Sequence, residues 1–209
     1  MIKNTSNVYS HRLKFSQSAP SCGSNCVFLG LGANIPGRWG TPQQTLLRAL
    51  TALAERGLAP LARSRFYVTK PVGGGRQPDF LNAVIRAPAG LAPLALLRLA
   101  KSLERQAGRR PGRRAGPRPL DIDILDYGGR RLGRGGAKRQ LGGLILPHPE
   151  LARRAFVLVP LAEIAPHWRH PVLGASATVL LRRFSRGTPR EVAAKPLISC
   201  APHAKSAAR

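Results

Sequence analysis

Asp121 and Asp123 stand two residues apart inside the apolar run Leu120-Asp121-Ile122-Asp123-Ile124-Leu125. Acid is scarce in this chain, with nine Asp and Glu against 34 Lys and Arg in 209 residues. A close acidic pair within a hydrophobic segment therefore asks for a use. A β-strand puts residues i and i+2 on one face, so Leu120, Ile122 and Ile124 would enter a core while the two carboxylates leave it together. Along the strand they would lie about 6.6 Å apart, close enough to share a cation or clamp two of them. Carboxylates of this kind suit Mg²⁺, which takes one or two of them and leaves its other positions to water and substrate phosphates. Arg118, just ahead of the strand, is placed to meet such a phosphate. The plainer reading of a lone Asp-x-Asp is an edge strand with a solvated acidic face, and only its surroundings can decide between the two.

Those surroundings are rich in groups that bind anions or polar ligands. Gly108 to Pro117 holds Arg109, Arg110, Arg113 and Arg114 with no helical or strand pattern, a loop suited to folding over a triphosphate or an RNA. Thr69-Lys70-Pro71-Val72 runs into Gly73-Gly74-Gly75, a loop whose backbone can approach a ligand closely. Asn82 falls within the apolar run Phe80-Leu81-Asn82-Ala83-Val84-Ile85 and would need a hydrogen-bonding partner or a polar ligand there. His148 is held between Pro147 and Pro149 and is suited to a phosphate. Gly30-x-Gly32 lacks the third glycine of a dinucleotide fingerprint.

The elements that must carry these groups follow from periodicity and punctuation. Val27 to Ala33 reads as a buried strand ending in a turn at Asn34. Thr41-Pro42 reads as an N-cap with proline in the first helical position, and Leu46, Leu47, Leu50 and Leu53 give a stripe closing near Gly57. Leu58 to Thr69 is a second strand region, and a third strand starts at Asp79. Leu94, Leu97, Leu99 and Leu103 predict a helix from Pro93 to Gln106, with Lys101 and Glu104 on its later turns. The Asp-x-Asp strand follows, then a glycine-rich excursion from Gly128 to Gly143. Leu144 to Pro149 returns the chain toward the site, and a last helical region opens at Arg153 and reaches Glu163. Strand, helix, strand, strand, helix, strand is the order of the split βαβ, ferredoxin-like fold. The expectation is an α+β chain with a βαββαβ core and additional C-terminal helices and strands.

The totals set the frame. The length suits one domain at 27–184 between a disordered arm, 1–26, and a disordered basic tail, 185–209. A formal charge of +25 implies an anionic partner: nucleic acid, a membrane surface or a phosphorylated substrate. Aromatic residues make up only 5% and are not interleaved with the basic ones, which argues against a stacking platform for bases. Cys22, Cys26 and Cys200 have neither zinc-ligand spacing nor a disulfide pattern. No apolar run is long enough for a membrane span, and the chain reads as a cytoplasmic monomer.

Taken in order, Leu31-Gly32-Ala33-Asn34, Phe66-Tyr67-x-Thr69, Gln77-Pro78-Asp79-Phe80-Leu81-Asn82, Gly116-Pro117-Arg118-x-Leu120-Asp121-Ile122-Asp123-Ile124, Pro147-His148-Pro149 and Phe156-x-x-x-Pro160-Leu161-x-Glu163-Ile164-Ala165-Pro166 resemble the 6-hydroxymethyl-7,8-dihydropterin pyrophosphokinases of folate biosynthesis. The resemblance implies Mg²⁺-dependent transfer of diphosphate from ATP to the pterin hydroxymethyl group with release of AMP. It implies two Mg²⁺ ions on Asp121 and Asp123, and catalytic charge stabilisation by Arg118 and Arg109. Thr69, Val72, Phe80, Asn82 and Phe156 match the family's pterin pocket. Glu104, Ile124, His148 and Arg154 match positions around the ATP, together with Arg109 and Arg118. Three positions depart from the pattern: Ala115 replaces a common aromatic, Lys70 a usual proline, and Gly143 an arginine of some members. Weaker pterin binding or slower loop closure would follow from these, with the metal pair intact. The competing expectation, a basic RNA-binding protein on the same sheet, accounts for the charge but not for the acidic pair or Asn82. A degenerate member that binds without turnover is a third.

Overall fold

The computed structural model describes residues 25–72, 76–110, 116–133, 142–187 and 195–196. It has a mixed α/β architecture in which one antiparallel sheet meets four helices. Strand β1 (Cys26–Ala33) leads to helix α1 (Pro42–Ala54), then to the short strands β2 (Ala62–Arg63) and β3 (Tyr67–Thr69) and the long β4 (Phe80–Pro88). Helix α2 (Pro93–Gln106), strand β5 (Asp121–Tyr127), a 3₁₀ turn at Leu151–Arg153, helices α3 (Ala155–Ile164) and α4 (Ala177–Gly187), and a two-residue β6 (Lys195–Pro196) complete it. The strands lie in the order β5-β1-β4-β3-β6, and β2 also pairs with β4. Every pairing is antiparallel.

Local chemistry sets the elements. The Thr41 hydroxyl accepts the Gln44 amide at 3.3 Å while Gln44 Oε1 accepts the Thr41 amide at 2.8 Å, a reciprocal capping box with Pro42 behind it. The helix stops ahead of Gly57, whose φ of +78° only glycine adopts without strain. The second strand region is broken into β2 and β3 at Ser64, where half of the backbone pairing is exchanged for a side chain. The Ser64 amide still donates to the Val84 carbonyl at 3.0 Å, but the Val84 amide donates to the Ser64 hydroxyl, which in turn donates to the Arg65 carbonyl.

Alternation along β1 divides the molecule into two layers. Val27, Leu29, Leu31 and Ala33 join Ile122, Ile124, Leu81 and Ile85 in a core closed by Leu46, Ala49 and Leu53 of α1 and Leu96, Ala100 and Leu103 of α2. Each fully buried Leu or Ile there contributes about 1.5–3 kcal/mol. The opposite face of the sheet packs Phe28, Val84 and Leu125 against Leu158, Leu161, Ala177 and Leu180 of α3 and α4. These helices cover only the end of the face around Phe28, where Trp168 meets the Phe28 ring edge-on at 6.0 Å. The other end, around Gly30 and Gly32, stays open.

Some boundaries differ from expectation. β1 begins at Cys26, inside the segment expected to be a disordered arm, because Asn25 and Cys26 carbonyls accept the Ala89 and Gly128 amides. Helix α4 runs to Gly187, past the expected start of the tail at 185, and the Ser185 hydroxyl bonds the Leu181 carbonyl within it. Residues 1–24, the three glycines 73–75, the segment 111–115 with Arg113, Arg114 and Ala115, much of the glycine-rich excursion (134–141), and 188–194 and 197–209 lie outside the described residues. No helix among the described residues is long and apolar enough to cross a membrane.

Candidate active site

The open end of the sheet holds a cavity of about 420 Å³, within the size range of small-molecule sites. Its floor is built by register. Gly32 of β1 lies opposite Asn82 of β4 on one side and Asp121 of β5 on the other, and Gly30 lies between Val84 and Asp123 in the same way. Directly opposed residues share a face, so Asn82 and Asp121 stand in one row, two strand spacings or about 9.6 Å apart, with no side chain between them. The two glycines make that floor bare. A Cβ on Gly32 would come within 2.8 Å of Asn82 Oδ1, whereas one on Gly30 would touch Leu125 at an ordinary 3.4 Å.

The β5 side of the cavity is charged. Asp121 and Asp123 both line it, while Ile122 and Ile124 turn into the core, as the alternation requires. Arg118 Nη1 reaches Asp121 Oδ2 at 2.7 Å, and Arg109 Nη1 bonds Asp121 Oδ1 and, at 2.8 Å, Glu104 Oε2. Burial alone would raise the Asp121 carboxyl, but the guanidiniums of Arg109 and Arg118 outweigh it and hold it below the ordinary carboxylate range. Asp123 is pushed up by burial and by the charge of Asp121, with partial relief from His148. Asp123 makes no hydrogen bond or ion pair among the described residues. His148 completes this side. Its Nδ1 accepts the Glu150 amide at 3.2 Å, which leaves Nε2 as the protonated nitrogen of the neutral ring. Burial lowers the imidazole's pKa against the pull of Asp123.

The β4 side is neutral and partly apolar. Asn82 Nδ2 donates to Thr69 Oγ1 at 2.8 Å, which answers the need of a nearly buried amide for a partner. Phe80, Val72, Phe156 and Val157 add apolar wall, and Arg154 lies 5.5 Å from the centre of the Phe156 ring. One end of the cavity thus suits a planar polar ring and the other a polyanion. Two carboxylates on one face also fit Mg²⁺, provided that phosphate oxygens and water complete its shell. No group of three or more His, Cys, Asp or Glu placed to hold a metal ion is found among the described residues.

Of the sequence candidates, Thr69, Val72, Phe80, Asn82, Phe156, Arg109, Arg118, Asp121, Asp123, His148 and Arg154 are brought together on this one cavity. Glu104 and Ile124 are not on its wall. The Ile124 side chain is core. Glu104 is 3% exposed and sits behind the site, where Oε1 accepts the Ile122 amide at 2.9 Å and the Lys101 ammonium at 2.8 Å. Burial raises its carboxyl, with Lys101 opposing. Two residues escaped notice as site residues. Lys101 lines the cavity, and its i, i+3 spacing to Glu104 on α2 was the available signal. Asn34, 3% exposed, donates to Gln77 Oε1 and the Pro78 carbonyl and accepts the Arg118 amide, joining segments up to 84 residues apart, which local patterns do not reveal.

Comparisons with known proteins bear on the chain as a whole. A profile of the 7,8-dihydro-6-hydroxymethylpterin-pyrophosphokinase family matches residues 28–166. The 2-amino-4-hydroxy-6-hydroxymethyldihydropteridine pyrophosphokinase of Methylorubrum extorquens is 43% identical over 141 residues, covering 67% of this chain and 82% of that protein. The mitochondrial folate synthesis bifunctional protein of Arabidopsis thaliana is 40% identical over 138 residues, and the match spans 66% of this chain but only 23% of that protein. Among solved structures, the wild-type HPPK-DHPS of Plasmodium falciparum with SDX-DHP superposes with a TM-score of 0.58 at 16% identity, over 78% of this chain and 45% of that one. That likeness concerns the fold.

Proposed function

The chain belongs to the 7,8-dihydro-6-hydroxymethylpterin-pyrophosphokinase family, and from that premise we propose that its cavity moves the terminal diphosphate of ATP to the hydroxymethyl oxygen of the dihydropterin, with Mg²⁺ and release of AMP. Its activity is that of a pyrophosphokinase of folate biosynthesis. The observation that carries the finer reading is the row Asn82–Gly32–Asp121, which sets an amide and a carboxylate on opposite sides of a bare floor.

In the proposed reaction the hydroxymethyl oxygen attacks the β-phosphorus. A new oxygen–phosphorus bond forms as the bond from the β-phosphorus to the bridging oxygen breaks, AMP leaves with that oxygen, and the hydroxyl proton is lost to solvent or phosphate. Asn82 would read the polar edge of the pterin beside Thr69 and Val72, with Phe80 and Phe156 holding its faces. Arg118 and Arg109 would meet the charge that develops on the transferring group. In the structure both guanidiniums rest on Asp121, and an incoming polyphosphate offers them a second set of oxygens. Lys101, Arg154 and the Nε2–H of His148 face the same space and would orient the nucleotide. Asp121 and Asp123 would hold two Mg²⁺ ions, which neutralise phosphate oxygens and align them for in-line displacement.

The strand adjacency β5-β1-β4-β3, antiparallel throughout, supports assigning the core to the ferredoxin-like βαββαβ arrangement, within a catalytic domain of residues 27–184. We infer a cytoplasmic monomer whose partners are its two small-molecule substrates.

The deciding experiment measures AMP release from ATP and Mg²⁺, with and without 6-hydroxymethyl-7,8-dihydropterin, for wild type and Asp123→Asn. Pterin-dependent AMP that collapses in the variant is the expected result. ADP in place of AMP would refute the diphosphate transfer. Binding of both substrates without turnover would indicate a degenerate member, and salt-sensitive RNA binding with neither substrate bound would favour the nucleic-acid reading.

A further inference from the structure

Glu163 takes no part in the chemistry above, yet it joins two walls of the cavity. It lies seven residues after Phe156 on α3, two helical turns along and on nearly the same side. Its Oε2 accepts the Tyr67 hydroxyl at 2.8 Å and the Arg65 amide at 3.1 Å, and its Oε1 accepts Arg65 Nε at 3.1 Å. Tyr67 is 3% exposed and lies directly opposite Asn82 in the sheet. Two residues on, and on the same face, Thr69 accepts the Asn82 amide. One carboxylate at the far end of α3 thus grips the strand that carries Thr69 and faces Asn82, while the near end of the same helix carries Phe156.

Strand β3 has three residues, and its ladder alone gives it little rigidity. We propose that Glu163 is a positioning residue: a strut between α3 and β3 that sets the separation of Phe156 from the Thr69–Asn82 pair, and with it how tightly a planar heterocycle is gripped. This rests on the assignment of the heterocycle to that end of the cavity. The Tyr67 hydroxyl is the transmitting group, because Tyr67 is the buried one of the two residues that present donors to the carboxylate from β3 and its approach. Arg65, with a side chain 62% exposed, braces the Tyr67 ring from 5.8 Å.

The test is a fluorescence titration with 6-hydroxymethylpterin in the presence of a non-hydrolysable ATP analogue, on wild type, Glu163→Ala, Tyr67→Phe and Phe156→Ala, together with steady-state kinetics. Loss of the strut is expected to raise the Kd and KM for the heterocycle about tenfold while kcat and the KM for ATP stay within about twofold. Glu163→Ala combined with Tyr67→Phe should be no worse than Glu163→Ala alone, since both remove one interaction. Thr41→Ala, destabilised at a helix cap far from the cavity, should leave heterocycle binding unchanged and so separates positioning from general loss of stability. Tyr67→Phe removes a single hydroxyl and carries the test if Glu163→Ala fails to fold. Unchanged heterocycle binding in both strut variants, with binding weakened in Phe156→Ala, would overturn the strut and leave the subsite standing. Unchanged binding in Phe156→Ala as well would overturn the subsite and the strut together.

Discussion

Asn34 and Arg118 hold each other twice: the Asn34 amide donates to the Arg118 carbonyl at 3.1 Å, and the Arg118 amide donates to Asn34 Oδ1 at 2.8 Å. The other end of the Asn34 side chain binds Gln77 and the Pro78 carbonyl. A single buried amide therefore registers Arg118 against the loop that leads to Phe80 and Asn82. Asn34→Ala is expected to cost about 2 kcal/mol of stability, from unpaired backbone groups, and about a hundredfold in kcat/KM for both substrates. Urea unfolding and initial rates check the two effects separately.

Arg109 has a second duty behind the site, at Glu104. Arg109→Ala would leave the Glu104 carboxylate, 3% exposed, with Lys101 as its remaining cationic partner. A loss of about 2 kcal/mol is expected because that buried charge is then only partly compensated, alongside the fall in AMP formation. Glu104→Gln in the Arg109→Ala background should recover part of the stability and none of the rate. Calorimetry of the single and double variants measures the recovery.

Asp126 sets the pH response of the C-terminal layer. Its Oδ2 accepts the Trp168 indole at 3.0 Å and the Gly129 amide at 3.3 Å, and its buried Oδ1 has no hydrogen-bond partner among the described residues. Burial raises its pKa in the folded protein, with the Trp168 and Gly129 hydrogen bonds opposing. The folded state thus holds the proton more tightly than the unfolded chain, and stability from this group is present below the unfolded pKa and lost as pH rises through the folded one. Asp126→Asn keeps an acceptor for Trp168 and removes the charge. The variant should therefore gain on wild type as pH rises from about 4, the ordinary aspartate range, toward neutrality. Urea midpoints of the two proteins across that interval check it, and parallel curves would refute it.

The two floor glycines should respond unequally. Gly30→Ala meets only the end of Leu125 and should keep most activity. Gly32→Ala pushes on Asn82 Oδ1 at 2.8 Å, and its heterocycle KM should rise about a hundredfold through displacement of the reading amide. Kinetics against both substrates distinguish the two, because the KM for ATP should move little in either.

Much of this site can be read from residue order because its parts sit on regular elements. Strand alternation places Asp121 and Asp123 together and Ile122 and Ile124 in the core, and Thr41-Pro42 and Pro93 mark their helix starts. What could not be read is lateral. Nothing near Gly32 in the chain says that it will lie between Asn82 and Asp121; that depends on register between strands 50 and 89 residues away. The bulge that leaves Leu125 unpaired between Ile124 and Asp126 interrupts the alternation and puts Asp126 under Trp168. Glu104 was expected around the nucleotide, and its place behind the cavity could not be read, because whether a helical carboxylate points at a ligand or at a neighbouring backbone amide depends on the tertiary packing.

The bare floor also bears on how this protein can change. With Asn82 in place, any first mutation at Gly32 brings a Cβ within 2.8 Å of Asn82 Oδ1. The two positions are coupled, so a single substitution at Gly32 displaces the Asn82 amide and weakens ring binding before any new specificity is gained. A descendant with a different ring specificity would be reached more readily by altering Phe80, Val72 or the strut at Glu163, whose side chains leave room for graded adjustment. Drift in substrate preference should therefore gather at the walls of the cavity and spare its floor.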